Sequence, residues 1–235
     1  MSEWATPKRF WKTTAVEAHD DGYTVVLDDR PLRTPQKSPL IMPSAALAES
    51  VAREWDEQGE RVDPQTLPFT RLCNSAIDKV TVQFADVADA VAAFGGSDLL
   101  CYRADGPSGL VARQAAAWDD ILDWAAEYYG ARLVTTQGIM PVAQDSAVLL
   151  RLSEIVHQQT PFSLTALYEL VNLSGSLILG LAVGESRLPA DVAWESSKVD
   201  EDWQIEAWGQ DDEAAEVREL KKQDFLRAAA MISWL

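Results

Sequence analysis

Pro31, Pro35, Pro39 and Pro43 recur every fourth residue near the start of this chain, and no other feature narrows its fold as much. A proline lacks the amide hydrogen of a helical turn and its ring clashes with the turn before it, so no helix runs through 31–43. The flanking residues have strand grammar instead. "RFWKTTAVEA" and "YTVVLDD" bracket "HDDG", where Asp21-Gly22 is a hairpin signal because glycine supplies the positive φ of tight primed turns. "RPLRTP" and "PLIMP" continue the pattern. A small antiparallel β unit is expected over the first forty-odd residues.

After Pro43 the apolar period changes from two to about 3.6. Ser44 is a good N-cap for "AALAESVAREWDEQG", with Gly59 closing the helix and Leu47, Val51 and Trp55 marking one buried stripe. Helical patterns then cover 67–79, 84–94, 109–130, 145–159, 163–183, 189–208 and 211–234, with a short strand at "ARLVTTQGI" (131–139). The expected fold is α+β. A β-rich N-terminal domain with one helix spans 1–81, and a larger, mainly α-helical C-terminal domain spans 82–235.

Composition limits the function. Of the 235 residues, 47% are hydrophobic and 24% charged, which supports folded cores rather than disorder. Nine tryptophans suit deep packing between helices, or a contact surface that needs aromatic anchors. A net charge of −17 repels phosphate backbones and anionic membranes, so a basic or neutral protein is the better partner, although acidity also serves solubility. Cys73 and Cys101 make no disulfide framework and favour a reducing compartment. The opening "MSEWATPKRFWK" lacks the marks of a signal or transit peptide. The most apolar run, 170–183, falls short of the roughly 20 residues that span a bilayer and reads as a buried helix.

The chain contains no GxGxxG, no GxxxxGK[ST] and no GxSxG. "FGGSD" (94–98) reads as a helix end and turn. His19 and His157 have no second His or Cys at ligand spacing, and His157 reads as a cap or surface residue. Neither cofactor nor metal is expected. Carboxylate-only hydrolysis stays open, with an acid/base pair among Asp200, Glu201 and Glu206.

Those acids belong to "VDEDWQIEAWGQDDEA" (199–214), where seven carboxylates stand among Trp203, Ile205 and Trp208. A single helix from Pro189 to Trp208, stopped by Gly209, puts Val192, Val199 and Trp203 on one face. Trp194, Ile205 and Trp208 fall nearly opposite. Asp202 and Glu195 share one polar edge and Asp200 and Gln204 the other, while Glu206 borders the first stripe. Asp211, Asp212 and Glu213 open the next helix, where the dipole favours negative charge. Glu201 alone sits inside the second apolar stripe. It pairs with an Arg or backbone donor of its own chain, belongs to an exposed aromatic-and-acid surface awaiting a partner's cation, or is a catalytic acid.

Eight segments also occur in the order found in one known family: "KRFWK", "GYTVVLDDRPLRTP", "AREWDEQ", "LCNSAID", "DLLCYRA", "QAAAWDDILDW", "GI" and "DEDWQIEAWGQDDEA". From about Lys8 to about Phe225 the chain resembles the ATP-twelve family, assembly chaperones for the alpha subunit of the F-type ATP synthase catalytic head. The resemblance implies a non-enzymatic, metal-free protein that hides the alpha-subunit surface later met by the beta subunit, and so promotes hexamer assembly. It implies a β-rich domain followed by a helical one. It makes Glu201 the functionally important acid of the family's "DE" pair and puts Trp55 on an aromatic position. With Trp194, Ile205 and Trp208 these form the expected partner-binding set. A start close to the first motif resembles bacterial members, in the cytoplasm, rather than those of the mitochondrial matrix. The free chain is expected to be a monomer that neither binds nucleic acid nor inserts into membranes. The alternative is an acidic adaptor for another protein client.

Overall fold

The computed structural model describes residues 7–138 and 140–235. Ile139, which ends the expected strand at 131–139 and the "GI" motif, lies outside them, as do residues 1–6 of the opening segment. The architecture is α+β, with a small N-terminal sheet followed by a mostly helical region. Contacts divide the chain into two compact units. One comprises residues up to Phe84 with Pro161–Thr165 and Trp234–Leu235, and the other comprises Ala85–Thr160 and Ala166–Ser233.

In the first unit β1 (Thr14–His19) and β2 (Gly22–Leu27) form an antiparallel hairpin in which His19 faces Gly22. β3 (Arg30–Pro31) and β4 (Ile41–Met42) each pair antiparallel with β2. The turn differs from the sequence expectation, because its two central residues are Asp20 and Asp21. Gly22, at φ +145°, opens β2 and is required by close approach: a Cβ there would stand 2.3 Å from the Met42 carbonyl oxygen. α1 (Ala45–Asp56) is capped by Ser44, whose hydroxyl accepts from the Leu47 amide, and it buries Leu47 and Val51 completely. It stops at a Glu57 cap before reaching Gly59.

The π turn 76–80 follows α2 (Pro68–Ser75). Glu54 of α1, nearly buried, accepts from the Phe69 amide (2.6 Å), the Thr70 amide (2.9 Å) and the Thr70 hydroxyl (2.7 Å). A carboxylate at a helix start satisfies amides that have no partner within the helix.

The second unit contains α3 (Phe84–Ala92), β5 (Tyr102–Arg103), α4 (Ser108–Tyr128), β6 (Thr136–Gln137) and α5 (Ser146–His157). They are followed by α6 (Pro161–Ser174), whose first five residues belong to the first unit, and by α7 (Leu177–Gly184), α8 (Ala190–Ser196), α9 (Val199–Trp208) and α10 (Asp212–Ser233). β5 and β6 pair in parallel, so only part of the expected strand at 131–139 forms. Two expected helices are broken. The apolar run splits at Gly175 (φ +74°), and Ser176 caps α7 through the Leu179 amide. Asp98 ties this break to the turn after α3. Wholly buried, it accepts from the amides of Leu100 and Ile178, each at 3.0 Å. The region 189–208 is likewise α8 and α9, not one helix. Ser197 turns its hydroxyl onto the Trp194 carbonyl (2.7 Å), and Lys198 takes a non-helical conformation. Such a serine competes with the backbone for its own helix's carbonyls.

Cys73 and Cys101 are both buried free thiols, and burial pushes the Cys101 thiol up to about 12.

Candidate functional site

The break at Ser197–Lys198 changes the phase between α8 and α9, and this decides which residues reach the surface. Trp194, expected on a face with Ile205 and Trp208, is wholly buried and packs its ring on Phe225, with centroids 5.6 Å apart. Ile205 is half-buried, and Trp208 is 81% exposed. Val199 is buried, whereas Val192 of the other expected stripe is exposed. Trp203 packs against the start of α4, where a Cβ on Gly109 would meet its ring at 2.8 Å. The Arg113 guanidinium lies over the same ring, 5.0 Å from its centroid. Trp118 of α4 pins the end of α8 by donating from Nε1 to the Ser196 carbonyl (2.8 Å).

The acidic run separates into individual roles. Asp200 accepts from Gln114 Nε2 (2.6 Å), and Glu206 takes a bidentate pair from Arg113 (2.7 and 3.0 Å) that holds its carboxyl below the usual range. Asp202 pairs with Arg218 of α10 at 2.5 Å, and Glu195, on the same edge, faces Arg218 and Lys222. Asp211 caps α10 by accepting from the Ala214 amide (2.9 Å). Periodicity thus placed these acids well. What it missed is the cations and amide that meet them, Arg113, Gln114 and Arg218, all outside the run; the sequence offers only the scattered bases Arg218, Lys221 and Lys222 on the following helix.

Glu201 is held more loosely than its neighbours on α9. Its side chain is 47% exposed, and its contacts are marginal: Lys198 Nζ and Arg218 Nη1, each at 4.0 Å. Lys198 lies over the Trp194 ring at 4.5 Å, and burial lowers its ammonium below the ordinary range. Glu201 borders two open depressions between α9 and α10, of about 420 and 260 Å³. On the opposite side of α9, a cleft of about 600 Å³ is lined by Tyr102, Pro107, Leu110, Asp200, Trp203 and Trp208. Asp200 therefore lines a different depression from Glu201, and Glu206 is held by Arg113 on the α4 side. The three acids offered as a hydrolytic pair are not gathered around one cavity.

Trp55 lies in the first unit. It is half-buried against Trp11, with centroids 5.2 Å apart, and donates from Nε1 to Thr70 Oγ1 (3.1 Å). His157, at the end of α5, meets Asp89 at 2.8 Å. Among the described residues, no three or more His, Cys, Asp or Glu are grouped to hold a metal ion, and no helix is long and apolar enough to cross a membrane.

The family model described as ATP12 chaperone protein matches residues 8–126. Among solved structures, Atp12 from Paracoccus denitrificans is 45% identical and covers 99% of both chains, with a TM-score of 0.94. The Atu1473 protein from Agrobacterium tumefaciens is 42% identical, with a TM-score of 0.89 over 96% of this chain and 85% of its own. The mitochondrial protein atp12 of Schizosaccharomyces pombe is 23% identical over 96% of this chain and 82% of that relative. The family match stops before α9, but the likeness to the Paracoccus structure runs through it.

Proposed function

This chain belongs to the ATP12 chaperone family, and on that premise we propose that it binds the unassembled alpha subunit of the F-type ATP synthase catalytic head. Bound there, it shields the surface that alpha later presents to its neighbours and promotes hexamer assembly, without catalysis, cofactor or metal. The observation that carries this reading is Glu201. It borders both open grooves, and among the described residues it has no ion-pair partner nearer than 4.0 Å. Ile205 and the protruding Trp208 stand beside it on α9. An exposed aromatic next to an under-paired carboxylate suits a cationic, partly apolar protein surface. In this reading Ile205 and Trp208 touch the client, Trp194 supports α9 from below, and Trp55 contributes from the first unit. A boundary at 81/82 and a bacterial cytoplasmic location are part of the proposal; limited proteolysis that leaves 82–235 intact supports the boundary.

Co-expression with the alpha subunit is the test. Wild-type chain is expected to keep alpha soluble, Glu201→Gln to weaken the rescue and Glu201→Lys to abolish it, with both variants folded by circular dichroism. Unchanged rescue would remove Glu201 from the site. A different dominant partner in a pull-down at low and moderate salt would favour the acidic adaptor.

A further inference from the structure

We propose that the trough between α9 and α10 receives an amphipathic client helix that is bipolar, with a basic residue toward Asp211 and Glu213 and an acidic residue toward Lys198 and Lys221. This deepens the reading of Glu201 above and rests on it. The depressions of about 420 and 260 Å³ share Glu201, Asp211, Ala214 and Arg218, so they form one trough along the helix pair. The Arg218–Asp202 and Lys222–Glu195 pairs fix the register and run α10 back along α9 and α8. Charge is therefore graded lengthwise. Asp211 and Glu213 stand where α10 begins, and Lys221 comes eight to ten residues later, roughly 12–15 Å away at about 1.5 Å per residue. Lys198 shares the basic end, close enough for Lys221 to disfavour its charge. Between the ends, Ala214 and the 46% exposed Val217 offer a small and an apolar contact.

The cations are unequally satisfied. Arg218 closes on Asp202 and Lys222 on Glu195, but Lys198 meets the Trp194 ring at 4.5 Å, the Leu173 carbonyl at 3.5 Å and, as its one carboxylate among the described residues, Glu201 at 4.0 Å. Lys221 forms no ion pair among the described residues. When Glu201 turns to a client cation, Lys198 loses its carboxylate, and a half-buried ammonium without one is unfavourable. The client must therefore return an anion at that end. A trough between antiparallel helices is complementary to a helix ridge, and seven residues of a helix cover about 10 Å, which the reach of its Lys and Glu side chains extends to the separation of the trough's ends.

Two fluorescein-labelled helical peptides decide the matter by fluorescence polarisation at about 0.15 M salt, where distant charges are screened. One carries Lys, a central Leu and Glu along one face over seven residues; the other replaces the Glu with Lys. Net charge alone favours the all-basic peptide, whereas the trough predicts at least fivefold tighter binding of the bipolar one. Lys221→Glu, at an exposed position, should invert that order. Tighter binding of the all-basic peptide by wild type, an unchanged order in Lys221→Glu, or no binding of either at millimolar concentration would each overturn the proposal. Loss of alpha-subunit rescue in Glu201→Gln with full rescue in Lys221→Glu keeps the client and discards the bipolar trough. The bipolar preference without any rescue by wild type does the reverse.

Discussion

Replacing Asp98 with asparagine sets burial against hydrogen bonding at the junction of α6 and α7. The carboxylate is enclosed and accepts from the backbone of Leu100, Leu177 and Ile178 and from the Ser176 hydroxyl, each of which favours its charged form. Burial opposes them and prevails, raising the carboxyl from 3.8 to about 6. Because the folded value exceeds the unfolded one, folding favours the protonated acid. Its contribution is fully present below about pH 3.8 and is lost as pH rises through about 6. At about 1.36 kcal/mol per pH unit the gap amounts to about 3 kcal/mol. Roughly 1.4 kcal/mol of it falls between pH 5 and 7.5, clear of the isoelectric point near 4.4. Urea unfolding of wild type and Asp98→Asn across that range isolates the group, since every other titration is common to both. Wild type is expected to lose about 1.4 kcal/mol relative to the variant on going to pH 7.5, with the variant weaker by about 1–3 kcal/mol at pH 5 for its mismatched amide. Parallel pH profiles would refute the reasoning, as would an Asp98 carboxyl carbon resonance that titrates below pH 4.

Glu54→Gln presents an amide to three donors at the start of α2 and should destabilise the first unit by about 2–3 kcal/mol, seen as a lower thermal midpoint. Gly109→Ala forces a methyl against the Trp203 ring, with an expected loss of about 1–2 kcal/mol in urea. Trp208→Ala should leave urea stability within about 0.5 kcal/mol of wild type, because its ring already faces solvent. The same variant should recover less soluble alpha subunit on co-expression. A large stability loss would place the ring in the core instead.

The sheet was legible because Pro31, Pro35, Pro39 and Pro43 exclude helix and because the two β-rich runs lie a turn apart. Gly22 was recognised as special, but its reason, the backbone of Met42 lying against it, is a tertiary fact. Helices were legible from apolar spacing, and their interior breaks were not. Spacing extrapolates one phase through Ser174-Gly175-Ser176 and Ser196-Ser197-Lys198, where short polar side chains capture backbone groups instead. That error moved Trp194 from the core to a supposed surface face. Within 199–208, which remains one helix, the polar edges still hold Asp200 and Asp202, with Glu201 between them. The partners of those edges come from α4 and α10, and no pattern within the acidic run could name them.

Trp234 packs on Phe69 with ring centroids 5.2 Å apart, and Pro161–Thr165 also belongs to the first unit. The sheet and α1 are synthesised early, yet two pieces of their unit are translated much later, one of them after α10. Emergence from the ribosome thus leaves the first unit incomplete until the second has been made. Any growing chain short of Trp234 therefore lacks part of its first unit.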